Sequence, residues 1–285
     1  MDRMIVVGVD DSAPGDAALD WAMRRAEHVG SPVTLVHSVY DTWLAEGYGY
    51  YDSILDAETK LLQEAQAKAT AVAPGVVTTT ELRHGNAPRE LSEYSDDASL
   101  IVVGTGKKGR MEGGLFGSVS MQIAALSRCP VAIIPLLDDP ANTTRSGVVV
   151  GVDGSADSVT AVAIAAAEAD RTGQELTAIY APPTPSPTAL QYIPTDSIRE
   201  RMDEERVVLA EAVAGLTTRY PDLVVHQRLV KDSVPARVLV DAARTAQLLV
   251  VGSHGRGTLR RLMMGSVSHE VLLHIASPTI ITRIR

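Results

Sequence analysis

Along the first half of the chain, short runs of β-branched and aliphatic residues alternate with longer stretches whose apolar positions recur at helical spacing. Strands are predicted near Met4–Asp10, Val33–Tyr40, Thr78–Arg83, Leu100–Gly104 and Val131–Pro135. Between the first two, Ala17–Val29 sets Ala18, Trp21/Ala22, Ala26 and Val29 on one helical face, with Gly30 as a stop. Asp56–Ala73, Pro88–Asp96 and Ser118–Ser127 supply the remaining helices. Pro88 and its counterpart Pro235 suit a first helical turn, with Asn86 and Ser233 before them as N-caps. Strand–helix alternation of this kind implies an open parallel sheet covered by helices, with ligands at the carboxyl ends of the strands.

The pattern occurs twice. "VVGVDDS" at Val6–Ser12 returns as "VVGVDGS" at Val149–Ser155, an offset of 143 that persists from Val33–Ser38 to Leu176–Ala181. The offset is 147 between Pro88 and Pro235, and 148 from Gly104/Gly252 to the paired "CPVAII" and "SPTIIT". The drift is confined to the middle of the copy, where loops tolerate insertion. The chain is therefore a tandem duplication, with domains expected over 1–140 and 146–285. The join falls near the polar, Pro- and Gly-bearing stretch Asp138–Gly147.

Composition narrows the class. Of 285 residues, 45% are hydrophobic but only 4% aromatic, which suits Val/Ala/Leu/Ile strands under helices better than an aromatic-rich sandwich. A net charge of −9 argues against a nucleic-acid partner. The single cysteine, Cys129, excludes an intrachain disulfide and a multi-thiolate zinc site. The opening "MDRMIVVGVD" enters a strand at once without signal-peptide anatomy, and no apolar run approaches the roughly 20 residues that span a bilayer. No membrane partner and a cytoplasmic location are expected.

Chemistry concentrates after the fourth strand of each copy. "GTGKKGRMEGGLFGSVS" (Gly104–Ser120) and "GSHGRGTLRRLMMGSVS" (Gly252–Ser268) are glycine-rich, basic, and end alike. A loop that leaves a strand's carboxyl end for a helix exposes backbone N–H groups and a helix N-terminus, and both attract phosphate. Glycine lets the backbone approach an anion, Ser266 and Ser268 can cap the helix or bond a phosphate oxygen, and Arg256 can add charge. "GTGKKG" satisfies G-x-G-x-x-G, but it lies far from the first strand–helix turn where a dinucleotide fingerprint belongs. No G-x-x-x-x-G-K-[ST] loop occurs.

On these residues the chain resembles the tandem-domain universal stress proteins, almost end to end. ATP-binding members of that family carry G-x-x-G, nine residues, then G-[S/T], with an Asp closing the first strand. The second copy matches at Asp153, Gly252, Gly255, Gly265 and Ser266. The first matches at Asp10, Gly104, Gly117 and Ser118 but has Lys107 in place of the second glycine. The resemblance implies a fold of two five-stranded, adenine-nucleotide-hydrolase-like α/β domains. It also implies ATP, with Mg²⁺ carried on its phosphates, as the cofactor. Asp10 and Asp153 would stand by the ribose, backbone at Ser38 and Ala181 would read adenine, and the glycine loops would take the phosphates. The implied sites comprise Val9, Asp10, Ser38, Val103, Gly104, Thr105, Gly117, Ser118, Val119 and Ser120 in the first copy. In the second they are Val152, Asp153, Ala181, Val251, Gly252, Ser253, Gly255, Arg256, Gly265, Ser266, Val267 and Ser268. With Gly255 intact, the second copy is expected to bind at least as well as the first.

The residues alone leave other roles open. Asp10 and Asp153 also suit helix caps, as do Ser12 and Ser155, and the loop cations suit a solvated rim. His37 and Tyr180 hold equivalent strand ends and are expected to pack; Cys129 has no activating partner that would make it a nucleophile. No acid–base pair is legible beside the loops, so a sensor is expected rather than a fast catalyst. Slow ATP hydrolysis, adenylyl transfer and a ligand-free interaction module are the competitors. Tyr40–Asp52 holds a cluster of aromatic residues after the second strand, where it can cover the site or face a partner. "APPTPSPT" (Ala181–Thr188), at the equivalent place, is expected to be stiff and extended.

Assembly follows from the fifth strands. "VAIIP" and "TIITR" are apolar, and an exposed apolar edge invites pairing. In the resembling family single domains dimerise through this strand, so the copies are expected to form an intrachain pseudo-dimer and whole chains a homodimer. Small-angle scattering of the dilute protein should show one compact body. Independent motion of the halves, or an unaltered profile for Ile133→Asp, would contradict the pairing.

Overall fold

The structure, a computed structural model, describes residues 3–39, 51–106, 118–137, 145–182, 195–231, 233–255 and 264–284. The chain divides into two compact units, Met1–Asp138 and Asp139–Ile284. In the first unit the elements run β1 (Ile5–Gly8), α1 (Ala13–Val29), β2 (Val33–Val39), α2 (Tyr51–Val72), β3 (Thr78–His84), α3 (Ala87–Glu93), β4 (Leu100–Thr105), α4 (Ser118–Leu126) and β5 (Val131–Pro135). In the second they run β6 (Val148–Val152), α5 (Ala156–Thr172), β7 (Leu176–Tyr180), α6 (Thr195–Val213), a one-turn helix α7 (Leu216–Arg219), β8 (Val225–Leu229), α8 (Pro235–Ala243), β9 (Leu248–Gly252), α9 (Ser266–Leu273) and β10 (Thr279–Thr282).

Each unit is a parallel sheet in the order β3-β2-β1-β4-β5 or, equivalently, β8-β7-β6-β9-β10. In the first unit α1 packs with α2 and α3 with α4; in the second α5 packs with α6 and α8 with α9. The central strands Ile5–Val7 and Leu248–Val251 are buried along their whole length, as aliphatic strands covered on both faces should be. The flanking strands β3 and β8 are more exposed. The strand order reverses between β1 and β4, and between β6 and β9, so a crevice opens at the carboxyl end of each pair.

Local signals set the helix boundaries. Helix α1 begins four residues before the predicted Ala17, because Ser12 accepts a hydrogen bond from the Gly15 N–H and Pro14 fits the first turn. Ser155 caps α5 in the same way. Both helices stop at a left-handed glycine, Gly30 (φ 68°) and Gly173 (φ 62°). Ala18, Ala22 and Ala26 form the buried stripe of α1, but Val29 is exposed because the last turn extends past the sheet. Asn86 caps α3 through the Arg89 N–H. Ser233 does not do so for α8: Val234 is its N-cap residue, and the Ser233 hydroxyl is buried with no partner among the described residues.

Candidate functional site

Five segments of the second unit converge on a cavity of about 500 Å³ at the carboxyl ends of β6, β7 and β9. That volume lies within the roughly 300–1,000 Å³ of small-ligand pockets. Val152, Ile179, Tyr180, Leu239, Val251 and Val267 supply apolar wall. Asp153, Ser158, His254 and Ser266 bring polar groups, and Gly252, Gly255 and Gly265 bring bare backbone. One end thus suits a flat apolar ring and the other an anion.

The anionic end is built from backbone. Gly265, in extended conformation (φ −63°, ψ 155°), is the N-cap of α9 and offers no side chain to the first turn. The N–H groups of Ser266, Val267 and Ser268 precede the first intrahelical bond, which His269 donates to Gly265. All three residues line the cavity, so the positive end of the α9 dipole faces it. The Ser268 hydroxyl is already engaged, donating toward the carbonyls of Ser253 and Gly265 at 3.0 Å each. It ties the helix to the strand end, while the exposed Ser266 stands at the helix start.

The glycines divide their work. A Cβ at Gly252 would lie 3.0 Å from Asp157 Cβ and 3.2 Å from Ser158 N, against α5. The smallness of Gly252 therefore serves close strand–helix packing, and the residue also lines the cavity. Gly104 does the same for α1 more stringently, with Pro14 O only 2.3 Å from a Cβ. Gly255 has a different neighbour: a Cβ there would meet Asp153 Oδ2 at 2.7 Å. Any side chain at position 255 displaces the carboxylate that the cavity shares.

Asp153 is not the helix cap. Its Oδ1 accepts from the Ser155 N–H (2.9 Å), and Ser155 caps α5 and donates its hydroxyl to His254 O. Asp10 likewise accepts from the Ser12 hydroxyl, and Ser12 is the cap of α1. Both aspartates close their first strands beside the crevice. Ala181 lies just past β7 on the cavity wall, whereas Ser253 is fully buried beneath it.

The first unit treats the corresponding positions differently. His37 donates from Nδ1 to the Val9 carbonyl at 2.7 Å and reaches Glu58 of α2 from Nε2 at 2.8 Å; its counterpart Tyr180 is buried. Ser38 donates to Gly85 O at 2.9 Å. Val103 is buried, Gly104 and Thr105 end β4, Val119 is exposed and Ser120 buried on α4. Lys107, Lys108, Arg110, Gly117, Arg256, Arg260, Arg261 and most of Tyr40–Asp52 and Ala181–Thr188 lie outside the described residues, as does the Ser118 side chain.

Sequence reasoning missed an acid–base pair. Asp157, on the first turn of α5, accepts at Oδ2 from the Ser253 hydroxyl (2.8 Å) and the His254 N–H (3.0 Å), with His254 Nδ1 at 3.3 Å. Its Oδ1 accepts from the Ile284 N–H at 3.1 Å. Three segments distant in sequence meet at this carboxylate. The only local signal was that Asp157 breaks an otherwise apolar or small helix start. Burial lowers the Arg283 pKa, and the Asp157 charge partly opposes that shift. Burial also pushes the Cys129 thiol up to about 12, which fits a structural residue. Among the described residues no cluster of three or more His, Cys, Asp or Glu suits a metal, and no helix is long and apolar enough to cross a membrane.

The model of the universal stress protein family matches residues 1–135 and again 145–283. A universal stress protein of Mycolicibacterium smegmatis is 34% identical over 296 residues, covering 99% of this chain and 97% of its own. Universal stress protein MT2698 of Mycobacterium tuberculosis is 36% identical over 297 residues, covering 98% and 96%. The crystal structure of a universal stress protein from Archaeoglobus fulgidus superposes with a TM-score of 0.71 at 21% identity, covering 98% of both chains. A functionally unknown protein from Pseudomonas aeruginosa gives 0.58 at 17% identity, covering 99% and 92%.

Proposed function

The chain belongs to the universal stress protein family, and from that premise we propose that it binds ATP in its second copy and acts as a nucleotide-dependent regulator. One observation carries the reading: the cavity of about 500 Å³ joins an apolar wall to the uncapped N-terminus of α9. Val152, Tyr180 and Val251 suit the adenine, with main chain at Ala181 near its edge. Asp153 suits the ribose hydroxyls, which a carboxylate accepts from. The N–H groups of Ser266, Val267 and Ser268 suit the phosphates, with the main chain of Gly252, Gly255 and Gly265 lining the same cavity, and Arg256 can add charge. Mg²⁺ would arrive with the phosphates, neutralising charge that the backbone donors leave over.

Regulation is favoured over fast turnover because the groups here bind and shield. A second site in the first copy, at Asp10, Gly104, Gly117 and Ser118, belongs to the same proposal. So do a stress-response role in the cytoplasm, pairing of whole chains and a regulatory protein partner.

Ser266→Asp tests the site without unsettling the fold. An acid at a helix start favours the helix dipole but repels phosphate. Calorimetry should show ATP affinity in the second copy falling by at least about tenfold, since 1.4 kcal/mol of repulsion suffices. Undiminished affinity at both copies would put the phosphates elsewhere. Gly252→Asp is a poorer probe, because its side chain would strike α5.

A further inference from the structure

The two copies differ at one coupled cluster beside the glycine loop. In the repeat register, Asp157 replaces Pro14, His254 replaces Gly106, Thr282 replaces Ile134 and Arg283 replaces Pro135. In the first copy a Cβ on Gly106 would lie 3.3 Å from Pro14 Cγ, so these positions meet by plain packing. In the second copy the same two positions meet through hydrogen bonds. Thr282 adds a bond to the Asp157 carbonyl at 3.0 Å, and Arg283 Nε approaches Ser253 Oγ at 3.4 Å. Polar residues stand at all four of these positions in the second copy.

This network dictates a tautomer. The Ser253 hydroxyl spends its proton on Asp157 Oδ2, and it accepts from Arg283 Nε. Its remaining lone pair is what faces His254 Nδ1 at 2.8 Å. The other neighbour of Nδ1, Asp157 Oδ2, is an acceptor only. Nδ1 therefore carries a hydrogen in both charge states of the ring. Across the ring, Nε2 is shielded from solvent and has no hydrogen-bond partner among the described residues, while His254 lines the cavity. In the neutral ring Nε2 is a lone pair, which repels a phosphate oxygen; in the imidazolium it is a charged donor, which binds one.

Resting on the nucleotide reading above, we propose that a phosphate-bearing ligand in the second copy takes up a proton at His254 Nε2, with Asp157 and Ser253 as positioning residues. Among the described residues the charged groups around the ring are Asp157 from α5, Asp153 after β6 and Arg283 after β10. The ligand's own negative charge is added to theirs on binding. The first copy has no side chain at Gly106 to titrate, so its binding is independent of this proton. Phosphate recognition in one chain is thus split between a proton-linked and an unlinked copy.

The test is calorimetric titration of the full chain with Mg²⁺-ATP in two buffers of different ionisation enthalpy. Wild type is compared with His254→Gln, which keeps a polar group but cannot titrate. Ionisation of ATP itself is common to both proteins and cancels. Wild type should take up more protons per ligand than the variant near pH 7.5. Its affinity should weaken with rising pH more steeply than the variant's, by up to about tenfold per unit for one linked proton. Equal proton uptake in the two proteins overturns the proposal while leaving nucleotide binding intact. Failure of wild type to bind ATP overturns the nucleotide reading, and this inference with it. Histidine ¹⁵N spectra of the wild-type complex give a readout that needs no variant. An unprotonated Nε2 on His254 at saturation would also refute the assignment.

Discussion

Asp157→Ala is expected to destabilise the second unit by roughly 3–5 kcal/mol, the range seen when one member of a buried charged network is removed. The carboxylate is about nine-tenths buried and satisfies the Ser253 hydroxyl and the N–H groups of His254 and Ile284. Alanine leaves those donors without an acceptor and half-buried Arg283 without its countercharge. The glycine loop then loses the side-chain bonds that tie it to α5, and the chain after β10 loses its bond at Ile284, so ATP binding in this copy should fall with them. Hydrogen exchange resolved to each unit is the appropriate measurement, because both tryptophans, Trp21 and Trp43, lie in the first half. Unchanged protection across β6, β9 and β10 would mean that the network is dispensable. A second comparison separates packing from charge: Asp157→Pro with His254→Gly imports the pair found at Pro14 and Gly106. The double variant should be more stable than the summed single effects by about 1 kcal/mol or more, as for residues in direct contact.

Gly104→Ala should cost the first unit about 3 kcal/mol, at the upper end of overpacking effects. The added methyl would sit 2.3 Å from Pro14 O, 2.4 Å from Pro14 C and 2.7 Å from Gly15 N. These are main-chain atoms in the first turn of α1, so no rotamer change relieves the contact and the helix must move off β4. For a unit of this size the melting temperature should drop by about 10 °C. Fluorescence of Trp21, on the displaced helix, follows the transition. The matching Gly252→Ala should cost less, since its nearest contact is 3.0 Å and involves a side-chain Cβ. Equal effects at the two positions, or none at Gly104, would show that strand–helix closeness does not limit these glycines.

The duplication, the strand order of chemistry along each copy and most helix ends were legible without coordinates, and the reason is local. Continuous aliphatic runs such as Leu248–Val251 can only be strands buried on both faces. Asn86, Gly30 and Pro88 act through their own backbone and its nearest turns, so their identities announce helix boundaries. Ser233 shows the limit of such signals: it has a cap's identity, yet the turn before Pro235 leaves Val234 at the cap position. For the site, the motif picked out Gly252, Gly255, Gly265 and Ser266, which share one loop and one helix start.

What each of these residues touches was decided only in three dimensions. The missing side chain of Gly252 makes room for α5, and that contact depends on how β9 and α5 pack. Asp157 reads as an ordinary first-turn acid; only the parallel sheet brings Ser253, His254 and Ile284, about a hundred or more positions away, onto its two oxygens. Local sequence can specify a turn, a cap or a buried strand, because those energies are settled within a few residues. A hydrogen-bond network that closes between α5, β9 and β10 has no such local trace, because its members become neighbours only when the sheet forms.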